Sequence, residues 1–188
     1  MIQDILTRMS GVFFSRILTF ITSLIVAGLV SEADWGHISL IMSYVSLLLV
    51  FSGSMFTRAI VTYTAQVKED IVSTGKILSM GNRINIIASL ITIILGYGIL
   101  ELFSPISDKI AEKTLIIIMP CILIVILSQN IISYFQGLGE IKYMTLLEIL
   151  RSIVLSFIVI ISMNIFSEPL HGWISGRIIG LTIVLVLF

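Results

Sequence analysis

The sequence predicts an all-α membrane protein, a single bundle of about six transmembrane helices with its N-terminus in the cytoplasm. Two properties of the composition indicate this fold class. Apolar residues make up 57% of the 188 residues and charged residues only 12%, whereas roughly 25% of a typical soluble domain is charged. The apolar residues also occur in long blocks without regular alternation, a pattern typical of segments that lie in lipid.

Six blocks are long enough to cross a bilayer, because a transmembrane helix needs about 20 mostly apolar residues. Arg16 interrupts the first block, and Pro120 lies inside the fourth, where packed neighbours can satisfy the carbonyl that a proline leaves free. The last block ends in GLTIVLVLF with no basic residue after it. We therefore expect the chain to be part of a longer one or, alternatively, its sixth helix to be short. The predicted spans are residues 10–30, 36–59, 77–103, 114–136, 144–166 and 172–188, in one bundle over residues 1–188.

The basic residues predict the orientation, because lysine and arginine concentrate on the cytoplasmic side of a membrane. The outer connections and their flanks hold only Lys109 and Lys113. Trp35 and Trp173 fall near the predicted outer interface, where aromatic residues are enriched. We therefore expect a multi-pass membrane protein with its N-terminus on the cytoplasmic side. The predicted cytoplasmic flanks hold seven basic residues, which are Arg8, Arg58, Lys68, Lys76, Arg83, Lys142 and Arg151.

Several classes of function find no support in the sequence. The net charge is zero, so no nucleic-acid partner is expected. One cysteine and two histidines in different loops provide neither a disulfide framework nor the spacing of a metal site. Because no set of catalytic side chains or phosphate-binding loop is recognisable, we expect no enzyme, no catalytic residue and no cofactor.

Arginines in or near the spans are the first candidates for function, because intramembrane charges usually face a protein interior or a water-filled cavity. Arg16 lies about one and a half turns into the first span. It is either a cavity cation suited to phosphate or a side chain that extends to the headgroups. Arg58, at the cytoplasmic end of the second span, is either a second such cation or an orientation anchor. Arg177 enters the sixth span from the outer side and is either a side chain that extends to the headgroups or a charge in an outer cavity.

Polar residues in spans four and five are further candidates for lining a cavity. Asn130 and Ser133 share one helix face, with Gln129 beside them. They form either interhelical hydrogen bonds or a polar wall along a substrate path. Glu148 and Arg151 are three residues apart near the start of span five. They form either a local ion pair or a contact with substrate.

Three passages carry a resemblance to a known family. The first is Ser15-Arg16-Ile17-Leu18 in the opening span, and the second runs from LVSEADWGH to TRAIVTYTAQ, with Trp35 before Gly36 in its outer turn. The third is YFQGLGEIKYMTLLEILRS, between spans four and five. Together they resemble the polysaccharide-biosynthesis, or O-antigen flippase, branch of the superfamily that also contains multidrug antiporters. The resemblance covers the whole chain but only the N-terminal of the family's two six-helix lobes.

The resemblance implies a flippase that moves undecaprenyl-diphosphate-linked oligosaccharide across the inner membrane for synthesis of cell-surface polysaccharide, including lipopolysaccharide. In that family context Arg16 is expected to contact the diphosphate and Arg58 to lie at the cytoplasmic mouth. The expected partners are this lipid-linked substrate, membrane lipids, and a missing second lobe or a second copy of the chain. Three alternatives remain: a multidrug or ion antiporter, which the lack of an acidic residue in span one disfavours, an inactive truncated fragment, and a membrane-embedded enzyme of envelope-glycan synthesis.

Overall fold

The computed structural model describes the backbone of residues 2–52, 54–103 and 109–187, and the side chains of residues 6–52, 56–101 and 112–187. These residues form helices and no strand, which confirms the predicted all-α class. The outer connection at residues 104–108 and the end of the predicted sixth span at Phe188 lie outside the described part. The helices are α1 (Ile2–Leu29), α2 (Glu32–Phe51), α3 (Ser54–Gln66), α4 (Ile71–Phe103), α5 (Lys109–Ile118), α6 (Cys121–Leu138), α7 (Ile141–Ile165) and α8 (Pro169–Leu187).

Six segments of the described chain are helical, long enough and apolar enough to cross a bilayer, as the sequence predicts. The protein is therefore a multi-pass membrane protein. The cytoplasmic position of the N-terminus stays a prediction, based on the distribution of basic residues. The six segments are Leu6–Leu29, Glu32–Phe51, Ile71–Glu101, Glu112–Leu138, Ile141–Ile165 and Pro169–Leu187.

The second predicted span, residues 36–59, crosses a break that the sequence analysis did not place. Helix α2 ends at Phe51, and the N–H of Ser52 donates to the carbonyl of Leu48 as the last bond of that helix. The carbonyl of Ser52 accepts a hydrogen bond from the Ser89 hydroxyl of α4 at 3.1 Å. This bond ties the end of α2 to α4, and α3 then continues to Gln66.

The fourth predicted span is also divided, at Pro120. Helix α5 ends at Ile118 and α6 begins at Cys121. A proline has no N–H to donate and disrupts a helix interior. The N–H of Ile122 donates instead to the carbonyl of Met119 at 3.0 Å, which keeps the chain turning through the break. The proline is accommodated inside the membrane segment, but as a junction between two helices.

Short connections with recognisable caps join the helices. Ser31 caps α2, because its hydroxyl oxygen accepts the N–H of Asp34 at 3.1 Å. Helix α6 ends at Gly139 with φ +81°, a left-handed conformation that glycine adopts without a steric penalty. The N–H of Glu140 then donates to the carbonyl of Phe135, as in a typical helix C-terminus. These caps explain why connections of two or three residues suffice here.

The helices pack as two groups that meet at α6. In the first group α7 packs extensively against both α8 and α1, and in the second α3 and α4 pack against α6. Gly176 lets α7 and α8 approach closely, since a Cβ there would lie 2.7 Å from the Cα of Val159. Gly137 does the same between α6 and α3, where a Cβ would lie 2.8 Å from the carbonyl oxygen of Val61. Such close backbone approach through small residues is typical of helix packing in membranes.

Candidate functional site

A cavity of about 560 Å³ lies between the two groups of helices, and we call it the central cavity. Its walls come from α1, α2, α6, α7 and α8, with Ile118 from the end of α5. On α7 it extends from Arg151 to Val159, about 12 Å at 1.5 Å per residue. Apolar side chains form much of the wall. The hydrogen-bonding or charged side chains, apart from Trp35 and Trp173, are Thr19, Thr22, Ser23, Ser39, Ser128, Gln129, Arg151, Ser152, Ser156 and Arg177.

In the described part of the chain, the charged side chains that line the central cavity are Arg151 and Arg177, and no acidic residue lines it. Arg151 projects from α7, and its Nη1 donates to Oε1 of Gln129 on α6 at 3.1 Å. Glu148, one turn earlier on α7, interacts with Arg151 electrostatically but does not line the cavity. Arg151 is therefore held by a neighbouring helix and partly balanced in charge.

Arg177 on α8 has much less support. Its guanidinium lies over the ring of Trp173, with the central carbon 5.3 Å from the ring centroid. Its Nε is buried and has no hydrogen-bond partner. Within the described part of the chain, no ion pair or hydrogen bond of its side chain is found. Because an unpaired charge in a low-dielectric environment is costly, this side chain has an unmet requirement for an anion or for water.

The packing of α7 against α8 fixes the relative height of the two arginines. A Cβ at Gly176 would touch Val159, and one at Gly180 would touch Leu155, so Arg177 lies level with about Ile158 of α7. Arg151 is seven residues, or two turns, from that level. The two guanidinium-bearing positions are therefore about 10 Å apart along the helix axes.

The hydroxyl groups of α1 face the same cavity. Thr19, Thr22 and Ser23 each donate a hydrogen bond to the carbonyl four residues earlier in α1, at 2.8, 2.8 and 2.9 Å. Each hydroxyl oxygen therefore remains available as an acceptor. The central cavity thus combines two cations on one wall with hydroxyl acceptors on another, an arrangement that suits an anionic, hydroxyl-rich ligand.

A family model described as "Polysaccharide biosynthesis protein" matches residues 1–188, the whole chain. The chain belongs to the polysaccharide biosynthesis protein family. The membership that the three sequence passages indicate is thereby confirmed. No curated protein sequence matches the chain.

This member of the polysaccharide biosynthesis protein family also has the fold of a transporter of known structure. It is similar to a multidrug resistance MATE family transporter of the MOP superfamily, solved in an outward-facing conformation, with a TM-score of 0.75 and 13% sequence identity. The similarity covers 97% of this chain and 42% of the transporter. The chain therefore spans less than half the length of the protein whose fold it shares.

Two of the arginines expected to bind substrate in this polysaccharide biosynthesis protein lie outside the central cavity. Arg16 is exposed and contributes to a shallow depression formed by α1 alone, together with Arg8 and Phe13. Arg58 is exposed on α3 and lines neither the cavity nor that depression. The structure thus does not bring Arg16 and Arg58 together with Arg151, and their predicted roles stay predictions.

The polar residues of α6 divide between two surroundings. Gln129 lines the central cavity beside Arg151. Asn130 is fully buried, accepts from Nδ2 of Asn85 at 2.7 Å, and donates through its own Nδ2 to Asn82 at 2.8 Å. Ser133 is also buried and is absent from the cavity wall. Asn130 therefore fits the interpretation of an interhelical hydrogen bond, and Gln129 fits the interpretation of a polar residue in the cavity wall.

The sequence patterns left two interpretations of Arg177 undecided, and the hydroxyl-bearing face of α1 was not predicted. A signal for both was present. Thr19, Thr22, Ser23 and Val26 follow the spacing of one helix face. Glycines at four-residue spacing, including Gly176, predict that this face of α8 packs closely, which leaves Arg177, about 100° around the helix, beside that contact.

Proposed function

We propose that this protein is one lobe of a flippase that moves an undecaprenyl-diphosphate-linked oligosaccharide across the inner membrane during synthesis of cell-surface polysaccharide. The single observation that carries the proposal is the central cavity, which two arginines and several hydroxyl groups line and to which no carboxylate contributes. Membership of the polysaccharide biosynthesis protein family supports a glycan as the cargo.

The cavity's chemistry matches the polar part of such a substrate. A guanidinium presents planar donors that bind two phosphate oxygens at once and stays charged at any physiological pH. We assign Arg151 to the diphosphate for two reasons. Gln129 positions its side chain, and Arg151 lies farther from the predicted outer surface than Arg177 does. The α1 hydroxyls face the sugars, and the polyprenyl chain stays in lipid beside the exposed apolar helix faces.

A second lobe, or a second copy of this chain, completes the transporter in this proposal. Arg16 is the observation that favours it, since a charge exposed on an apolar helix needs water or protein around it. A second lobe that covers α1 would enclose Arg16, and with it the diphosphate contact expected for this residue. Arg58 would then lie near the predicted cytoplasmic mouth. The chain covers 42% of the MATE transporter, and a second lobe would correspond to the part of that transporter that the chain does not cover.

An antiporter that couples transport to protons or sodium is less well supported. Such coupling commonly uses an intramembrane carboxylate that binds and releases the cation. Among the described residues, none that lines the central cavity is acidic. Glu148, one turn before Arg151 on α7, does not line the cavity.

The test is complementation of a strain that lacks the gene with variants of the complete gene product. We expect Arg151→Gln to lower surface polysaccharide roughly tenfold or more and to increase the lipid-linked precursor, because a charge-assisted contact to the diphosphate is lost. Arg83→Gln is the matched control, since Arg83 is exposed and lies outside the cavity. Normal export by a well-expressed Arg151→Gln variant would refute the assignment.

A further inference from the structure

We propose that the central cavity binds two negatively charged groups of one substrate at once, a diphosphate at Arg151 and the carboxylate of an acidic sugar at Arg177. The inference rests on the flippase function proposed above and adds that the transported glycan is acidic. Three properties of the cavity lead to it: the separation of the arginines, the different partners they have, and the hydroxyl groups at the heights between them.

The separation argues against a single diphosphate as the partner of both arginines. The backbone positions of Arg151 and Arg177 differ in height by about 10 Å, as the contacts of Gly176 and Gly180 with α7 indicate. The Arg177 guanidinium lies over Trp173, one turn farther from Arg151, so its side chain does not shorten this distance. The two phosphorus atoms of a diphosphate share one bridging oxygen, so its charge is concentrated over a much shorter distance. A substrate that neutralises both guanidiniums therefore carries a second negative group, farther along its glycan.

The partners of the arginines differ, and the difference indicates where the second group binds. Arg151 already has the side chain of Gln129 and the nearby charge of Glu148. Among the described residues, Arg177 lies over the ring of Trp173 and has no ion pair or hydrogen bond, and its Nε is buried without a partner. The two terminal nitrogens of Arg177 remain as the donors available to a ligand. Two parallel donors on a planar group match the two oxygens of a carboxylate.

The hydroxyl groups of α1 lie at the heights between the two arginines. Gly11 packs directly against Thr145, and α1 and α7 cross the membrane in the same direction. Eight to twelve residues farther along, Thr19 to Ser23 are therefore level with about residues 153–157 of α7. This is between Arg151 and the level of Arg177. Acceptor oxygens at these heights suit the hydroxyls of a sugar that joins the diphosphate to the acidic residue.

Ligand binding to the purified protein in lipid nanodiscs tests the inference without an export assay. The probes are inorganic pyrophosphate, methyl glucuronide, and methyl glucoside as the matched sugar without a carboxylate. Calorimetry measures affinity, and a Trp35→Phe variant leaves Trp173 as the single tryptophan of residues 1–188, so that its fluorescence reports on the Arg177 region. We expect the glucuronide to bind roughly tenfold or more tightly than the glucoside, and to bind also when pyrophosphate is saturating.

Two variants separate the positions. We expect Arg177→Gln to weaken glucuronide binding roughly tenfold or more and to change pyrophosphate binding by less than about twofold, and Arg151→Gln to do the reverse. Arg177→Lys, which retains the charge but not the planar fork, should weaken glucuronide binding by a smaller factor. The competition experiment uses the unsubstituted arginines, so it decides the question even where a variant does not fold.

The outcomes distinguish this inference from the proposed function. Loss of glucuronide binding under saturating pyrophosphate would show one shared site and overturn the inference. Equal affinity for glucuronide and glucoside would overturn it too. Binding of pyrophosphate without glucuronide would overturn the acidic-sugar assignment and leave the flippase proposal standing. If neither anion binds, both are overturned.

Discussion

Polar side chains lie inside the apolar bundle in two regions, the wall formed by α7 and α8 and the interface between α4 and α6. The two regions differ in the hydrogen-bond partners of those side chains. At the α4–α6 interface, Asn130 lies between Asn82 and Asn85 and bonds to both, although Oδ1 of Asn85 is itself buried without a partner. In the α7–α8 wall, Arg177 faces the central cavity with no hydrogen bond among the described residues. Polar groups that satisfy one another hold helices together, whereas a polar group left unsatisfied at a cavity is available to a ligand.

The contrast depends on the rigidity of the α7–α8 hairpin, and breaking that hairpin should have the largest effect. We expect Gly176→Leu to destabilise the protein by about 3 kcal/mol or more, because its Cβ would lie 2.7 Å from the Cα of Val159, a backbone atom that cannot move aside. Thermal unfolding in detergent, followed by light scattering or circular dichroism, measures the loss.

Gly28→Leu is the control for that substitution. Gly28 is exposed on α1, and a Cβ there meets no atom within 4 Å. We expect it to leave the unfolding midpoint near that of the unsubstituted protein. A similar midpoint for Gly176→Leu and Gly28→Leu would show that α7 and α8 do not pack as closely as described, and the 10 Å spacing of the arginines would lose its basis.

Removing the central asparagine of the α4–α6 interface should have the next largest effect. We expect Asn130→Ala to destabilise the protein by about 1–3 kcal/mol, because it leaves Asn82 and Asn85 without their partner in a buried environment. Pyrophosphate affinity should stay within about twofold, since Asn130 does not line the cavity. The measurements are the unfolding midpoint and calorimetry on the same preparation.

Arg177→Met is the counterpart of Asn130→Ala, because we expect it to preserve stability and to remove ligand binding. Methionine matches the arginine side chain out to the position of Nε and carries no charge, so it removes a cation whose Nε is buried without a partner, a change that is often neutral or stabilising. We expect an unchanged or higher unfolding midpoint together with loss of glucuronide binding. If Arg177→Met lowers stability as much as Asn130→Ala does, Arg177 is a structural residue like Asn130, and the contrast between the two regions is wrong.

Sequence patterns predicted the membrane segments well because length and hydropathy determine them. Arg16 and Arg177 show what such patterns do not contain. Both are arginines within apolar helices, yet one is exposed on α1 and the other lines the cavity. The direction in which each points depends on how its helix is rotated against its neighbours. For α8 that rotation follows from glycines such as Gly176, whereas α1 packs against α7 through Gly11 and leaves much of its remaining surface exposed.

The polar residues of α6 illustrate the same limit. Gln129 and Asn130 are adjacent in sequence and were both candidates for the cavity wall. A helix turns by about 100° per residue, so neighbours face different surroundings. Gln129 accepts a hydrogen bond from Arg151 of α7 at the cavity wall, and Asn130 bonds to Asn82 and Asn85 of α4. Local sequence identified a polar stretch correctly, but only the packed structure separates the half that lines the cavity from the half that joins helices.

A polar group that is fully satisfied but lies in water should contribute least, and Asp70 provides this third case. It precedes α4, outside the membrane segment, and its carboxylate accepts the N–H groups of Val72 and Ser73 and the Ser73 hydroxyl. These hydrogen bonds, that of the Ser73 side chain first, lower the pKa of Asp70 from its ordinary value of 3.8. The folded state therefore favours the charged form.

The sign of the pH dependence follows from this direction. Because the folded-state pKa is lowered, the stabilisation by Asp70 is present above its ordinary value and disappears as the pH falls through the lowered one. We expect Asp70→Ala to lower the unfolding midpoint slightly at about pH 6, and the difference from the unsubstituted protein to shrink below about pH 3. If Asp70→Ala lowers the unfolding midpoint as much as Asn130→Ala does, burial adds little to the stabilisation by a hydrogen-bonded polar group in this protein. The difference between the α7–α8 wall and the α4–α6 interface would then depend on hydrogen-bond partners alone.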